Sequence, residues 1–284
     1  MLAIYYHSDF SKKHGQRNFG DDINPYILRR FLPKSVIESE DTCVVGIGTL
    51  LNNGLLDELK PYKKAIIFCS GVGYGEHEQL IGNEKLIFAG VRGLKSCEAL
   101  SLPKEFAKTD AAILLADKKT NTKKKYKHTF IPHINTDWSS GKMIKRACDD
   151  LGIKYIAPNA DLEEFLDTID RSEKVITEAM HGAIVADTLR VPWIPVKIHN
   201  ALGFKWEDWT SSMEIDYSPN KLTQVYDPTT SSLSKIKSRI KLSLFKRKLK
   251  TLVDGVTYLS SEQVFEQKLG DVLKLTESDH FKIK

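Results

Sequence analysis

Short apolar runs alternate with helix-period stretches along this chain, the pattern of βαβ units built around parallel sheets. In the first half, strands are expected at Leu2–Tyr6, Thr42–Gly46, Lys64–Ser70, Lys85–Ala89 and Ala111–Ala116. Between the first two, Asn24-Pro25 reads as an N-cap followed by proline at the first helical position, starting a helix through Arg30. The polar run Asp117–Lys125 has no apolar periodicity and reads as an inter-domain linker. Beyond it, strands are expected at His128–Pro132, Lys154–Ala157, Lys174–Thr177 and Trp193–Lys197. Helices are expected at Gly141–Leu151, Leu162–Ile169 and Ala183–Arg190, and the last sixty residues read as helical. The expected fold class is α/β with two Rossmann-like domains, residues 1–120 and 121–284, the second ending in a helical tail.

Length and composition agree with that division. A chain of 284 residues exceeds one average domain, and 41% hydrophobic with 28% charged residues is an ordinary globular balance. No apolar run approaches the roughly 20 residues needed to cross a bilayer, and Met1–Phe10 reads as a strand rather than a signal peptide, so the expected location is the cytoplasm. Cys43, Cys69, Cys97 and Cys148 form no C-x-x-C pair, so neither a zinc knuckle nor a redox dithiol is indicated. The net charge of +5 is unevenly spread: eight basic residues and no acid lie between Lys235 and Lys250, leaving the rest of the chain at −3. That imbalance argues against a nucleic-acid-binding surface and confines any polyanion contact to one segment.

The stretch Glu178-Ala-Met-His181-Gly182-Ala-Ile-Val-Ala-Asp187 carries the most chemistry, because it sets a histidine and a glycine where an apolar strand becomes a helix. The unpaired amides and positive end of that helix favour a phosphate or carboxylate, Gly182 permits close backbone approach, and His181 lends a proton beside them. The plain alternative is a helix start with a hydrogen-bonded histidine. In the loop after the first strand, Asn18-Phe-Gly20-Asp21-Asp22-Ile-Asn24-Pro25 offers carboxylates suited to accepting a proton from a sugar hydroxyl, or a solvated turn. Gly46-Ile-Gly48-Thr49 and Cys69-Ser70-Gly71-Val-Gly73-Tyr74-Gly75 lie at strand ends without matching a P-loop or dinucleotide fingerprint. Arg92, after another strand, suits a bidentate grip on an anion or a salt bridge; His133 closes a further strand. Phe204-Lys205-Trp206-Glu207-Asp208-Trp209 joins two indoles that fit either sugar faces or a domain interface.

Taken in order, these strings, with Thr109-Asp110-Ala-Ala, Pro132-His133 and Val191-Pro192-Trp193-Ile-Pro195-Val, resemble the polysaccharide pyruvyl transferase family, most nearly its exopolysaccharide, succinoglycan-type branch. The similarity runs from about Leu2 to Trp209. It implies a glycosyltransferase-B-like fold with the ligand between two domains, and transfer of pyruvate from phosphoenolpyruvate onto two hydroxyls of a sugar as a ketal. Cofactor and metal are not implied. The roles that follow are His181 as general acid and Asp21 as base. Arg92, Gly182, Ser70, Gly71 and His133 would face the donor; Asn18, Asp22, Trp206 and Trp209 would face the acceptor. Two departures stand out: Ala179 occupies the place of an arginine found two positions before the histidine in other branches, and Leu94-Lys95 follows Arg92-Gly93 where a proline is common.

The rival enzyme is a nucleotide-sugar glycosyltransferase of the same shape, for which no base or ribose pocket pattern is visible. The non-enzyme rival is a polyanion or membrane-binding module centred on the basic tail. In residues 234–250, Ile236, Ile240, Leu244 and Leu249 are expected to share one helical face ringed by basic residues, which either packs on the domains or holds the protein to anionic lipid at the inner face of the membrane, where a lipid-linked saccharide acceptor would lie.

Overall fold

The computed structural model describes residues 3–6, 13, 15, 17–120, 122–199, 203–226 and 231–282, so the Leu2 end of the first expected strand lies outside the described residues. It contains two parallel sheets. The first holds β1 (Ile4–Tyr5), β2 (Thr42–Val45), β3 (Lys64–Ser70) and β4 (Leu86–Val91) in sequential order. The second holds β5 (Tyr126–Ile131), β6 (Lys154–Tyr155), β7 (Ser172–Thr177), β8 (Trp193–Lys197) and β9 (Asn220–Lys221), ordered β6-β5-β7-β8-β9. Its order reverses at β5, so the carboxyl ends of β5 and β7 flank a topological switch point, where open α/β sheets bind ligands.

Ten α-helices are described: α1 (Phe19–Phe31), α2 (Lys34–Ile37), α3 (Leu55–Glu58), α4 (Leu94–Ala99), α5 (Ile134–Asp150), α6 (Leu162–Asp170), α7 (Met180–Thr188), α8 (Gly203–Ser212), α9 (Ser232–Leu252) and α10 (Glu262–Thr276). Helix α1 starts earlier than Asn24-Pro25 suggests. Its N-cap is Asn18, whose side chain accepts from the Gly20 amide, and Pro25 lies inside the helix. Proline leaves the carbonyl four residues back without its helical donor; here Asn24 Nδ2 donates to that carbonyl, of Asp21, at 3.3 Å. Asn24 also ties α1 to the loop after β2, accepting from the Ile47 amide at 2.7 Å and donating to its carbonyl at 3.1 Å. A Cβ on Gly46 would overlap the Asn24 amide, which is why glycine stands there.

The run Ala111–Ala116 is not a strand. Asp110 caps it by accepting from the Ala112 amide at 3.0 Å, and Ala111–Lys118 winds into a 3-10 helix buried against α1, α7 and α10. Sitting there, it joins the two halves. One hydrophobic cluster accordingly takes in Val44, Ile66 and Phe68 from the first sheet together with Ile131, Val175 and Trp193 from the second. Phe19 of α1 stacks on Phe165 of α6 with ring centroids 3.6 Å apart, a contact that fastens the first turn of α1 to the second half. Burying each such ring contributes about 2 kcal/mol.

The basic helix α9 also differs from expectation. Its inward face is Ser238, Phe245 and Leu249, with Phe245 packed edge-on to Phe130, while Ile236 and Ile240 are exposed. Ile236 and Leu249 are thirteen residues apart, roughly 220° around a helix of 100° per residue, so they cannot share a face. Among the described residues no helix is long and apolar enough to cross a membrane.

Candidate active site

A cleft of about 590 Å³ opens between the carboxyl end of the second sheet and the loops of the first half. Its walls include His133 after β5, Ala179, Met180 and His181 at the start of α7, Asn18 and Asp21 in the cap and first turn of α1, Thr49 and Tyr74 from the first half, and Lys205 from α8.

The start of α7 is shaped by Thr177, whose hydroxyl accepts from the Ala179 amide at 3.0 Å and donates to the Ala179 carbonyl at 2.8 Å. That local turn places His181 in the first turn of the helix, where amides have no intrahelical partner. Gly182 does not face the cleft: a Cβ there would lie 2.6 Å from Thr177 Oγ1 and 3.2 Å from Ile131 Cδ1, so its smallness serves helix-on-strand packing. Glu178 is buried and works on backbone. One carboxylate oxygen accepts from the His133 amide at 3.1 Å and the other from the Ile198 and His199 amides at 3.0 and 3.2 Å, binding the ends of β5, β7 and β8 into one rim.

Beneath His181 lies Asp110. Its Oδ2 is 3.6 Å from His181 Nε2, both atoms are buried, and among the described residues neither has a hydrogen-bond partner. On the other side of the imidazole is Gly20, where a Cβ would overlap His181 Nδ1; the first turn of α1 therefore closes directly on the ring, bringing Asp21 to the same wall. Phe19 meets the ring edge-on at 6.4 Å. Asp110 was present in the Thr-Asp-Ala-Ala string, but nothing in its sequence neighbourhood says that it meets a residue 71 positions later.

The cations in the cleft wall among the described residues are Lys13 and Lys205. Lys205, on the same helix as the two indoles, is 8% exposed and donates to the Tyr74 hydroxyl at 3.0 Å. His133 caps α5 by accepting from the Asn135 amide through Nδ1 at 3.3 Å. Burial, with the positive charges of Lys205 and His199 adding to it, pushes the His133 pKa down to about 4, so this imidazole is neutral at physiological pH.

Other expected contacts lie elsewhere. Arg92 is fully buried: it pairs with Asp208 at 3.0 Å, donates to Thr49 Oγ1 at 2.9 Å and to the Val72 carbonyl at 2.8 Å. A Cβ on Gly71 would overlap the Arg92 guanidinium, and Ser70 donates to the Gly48 carbonyl, so both residues build the wall behind the cleft. Asp208 in turn accepts from the Ser96 amide and hydroxyl at 3.0 and 2.6 Å, joining α8 to the start of α4. Asp22 points away from the cleft to Arg17 at 2.9 Å. Trp206 and Trp209 are 1% exposed in an aromatic cluster with Trp193 and Tyr217, the interface alternative for the indole pair. The indole that does line the cleft is Trp138, 57% exposed on α5.

Residues 4–200 match the model of the family described as polysaccharide pyruvyl transferase. The chain belongs to that family. It is also 32% identical over 227 residues, 78% of this chain and 68% of the relative, to the succinoglycan biosynthesis protein ExoV of Rhizobium meliloti (strain 1021). The matched residues include every cleft residue discussed except Lys205, which follows the end of the family match by five positions. In this member of the family the cleft is built from the switch point of one sheet and the cap of a helix from the other half.

Proposed function

We propose that this protein transfers pyruvate from phosphoenolpyruvate to a saccharide of an exopolysaccharide repeat unit, forming a cyclic ketal, and that its halves, residues 1–120 and 121–284, are arranged as in glycosyltransferase B folds. The observation that carries the reading is the His181 imidazole, backed by the buried Asp110 and facing a cleft that also holds Asp21 and Lys205. Phosphoenolpyruvate is a compact trianion at most, and a site for it needs donors gathered in a small volume. Lys205, Lys13 and the first amides of α7 are so placed, and Lys205 answers the missing arginine at Ala179.

His181, held by Asp110, donates its proton to the methylene carbon of the enol, which makes the neighbouring carbon electrophilic. One sugar hydroxyl adds there, its proton passing to Asp21. The second hydroxyl then displaces phosphate and closes the ketal. In balance, one hydroxyl proton replaces the one delivered to the new methyl group and the other leaves with phosphate. This chemistry requires no metal or cofactor. Because phosphoenolpyruvate is a metabolite of the cytoplasm, the reading places the enzyme there, acting on an acceptor carried by lipid. Arg92 supports the cleft through Thr49 rather than by touching donor.

Incubating the protein with phosphoenolpyruvate and lipid-linked oligosaccharides tests the reading. The expected result is acceptor-dependent release of inorganic phosphate together with an oligosaccharide heavier by one pyruvate ketal. Phosphate release without a modified sugar, or transfer from a nucleotide sugar instead, would overturn it.

A further inference from the structure

We infer that the outward face of α9 is a docking surface for an anionic lipid bilayer. Leu233, Ile236 and Ile240 are 72%, 53% and 55% exposed, and their spacing of three and four residues places them on one side of the helix, opposite the buried Phe245 and Leu249. Around this stripe stand the exposed basic residues Lys237, Arg239, Arg247 and Lys250, while exposed Lys235 lies nearer the inward face. The remaining basic residues are engaged otherwise. Lys246 pairs with Asp150, Lys241 lies over the Tyr226 ring, and Lys248 lines a polar cavity with Lys221 and His199.

Three exposed aliphatic side chains flanked by cations, with no acid within the helix, are the arrangement of an interfacial helix, whose apolar residues enter the acyl boundary while the basic ones meet headgroup phosphates. Charge decides among the occupants. A second copy docked through the same stripe would bring two such basic rows together, which like-charge repulsion opposes. A nucleic acid would use the cations and leave the aliphatic stripe in water. An anionic membrane uses both.

This face differs from the one that periodicity suggested. Full-length protein is floated with phosphatidylcholine vesicles with and without phosphatidylglycerol, at low and high salt. The variants are Ile236→Ser with Ile240→Ser, and Lys237→Gln with Arg239→Gln, Arg247→Gln and Lys250→Gln. All six positions are exposed, so the fold is retained. The original protein is expected to float with the anionic vesicles at low salt, and each variant set to lower the bound-to-free ratio about tenfold or more. Equal flotation of either variant set and the original protein would overturn the proposal. So would binding to an oligonucleotide duplex that outlasts the serine changes, or a concentration-dependent dimer that they abolish. Vesicle binding needs neither donor nor acceptor, so its outcome is independent of the transfer chemistry.

Discussion

Asp110 and His181 face each other across 3.6 Å of buried space, Oδ2 to Nε2, and neither atom has a hydrogen-bond partner among the described residues. Asp110 is fixed independently of the histidine, because its other oxygen caps the 3-10 helix at Ala112. A carboxylate anchored in this way is placed to hold the orientation of the imidazole. Asp110→Asn keeps the cap and the shape but removes the charge. The expected outcome is a fall in kcat of about 10²-fold or more with KM for phosphoenolpyruvate little changed. A variant with normal kcat would reduce Asp110 to a capping residue.

Arg92 and Lys205 should behave oppositely when removed. Arg92→Ala strands the Asp208 carboxylate in the core, so it should lower unfolding free energy by about 3–5 kcal/mol in urea titration. Lys205→Met should leave stability nearly unchanged and raise KM for phosphoenolpyruvate, with Lys205→Arg recovering part of the loss. If Arg92→Ala were stable and selectively weak for donor, the guanidinium would belong in the cleft after all.

His133 gives a pH dependence with a definite sign. Its folded pKa lies near 4, below the ordinary histidine value, so between those two pH values the unfolded chain binds more protons than the folded one. Its contribution to stability is complete above about pH 6.5 and is lost as pH falls toward 4. Replacing it with a capping residue that does not titrate, His133→Asn, should flatten that part of the stability profile, measured as urea midpoints across the window.

The indoles separate just as clearly. Trp138→Ala should weaken the saccharide acceptor's binding with little effect on the melting temperature, because the ring stands in the cleft wall and is largely exposed. Trp206→Ala removes a ring packed against Trp193 and Tyr217 and should cost about 3–5 kcal/mol of stability.

Much of this architecture was legible because parallel strands buried on both faces leave continuous apolar runs. Lys64–Ser70 and Trp193–Lys197 coincide with β3 and β8 from end to end. The same signal misled at Ala111–Ala116, since an apolar run buried on all sides looks alike in strand and 3-10 helix, and the capping side chain of Asp110 decides between them. Asn24-Pro25 misled for a related reason: the pair reads as a helix start, but the Asn24 amide repairs the gap proline makes inside one. In the cleft, His181, Asp21, His133 and Asn18 were legible from their positions at strand and helix ends. Arg92 was legible as important but not as buried, because its partner Asp208 is 116 residues away. Lys205 is flanked in sequence by aromatic residues whose signal is stacking, and its contact with Tyr74 exists only once α8 packs on the first half.

Isotope incorporation tests the central claim, that His181 protonates the enol carbon of phosphoenolpyruvate, most directly. With phosphoenolpyruvate and a saccharide acceptor in deuterated water, the product ketal should carry one deuterium in its methyl group, and His181→Ala should form that product about 10²–10⁴-fold more slowly. A ketal methyl free of deuterium, or one formed at an undiminished rate by the folded His181→Ala protein, would contradict the account.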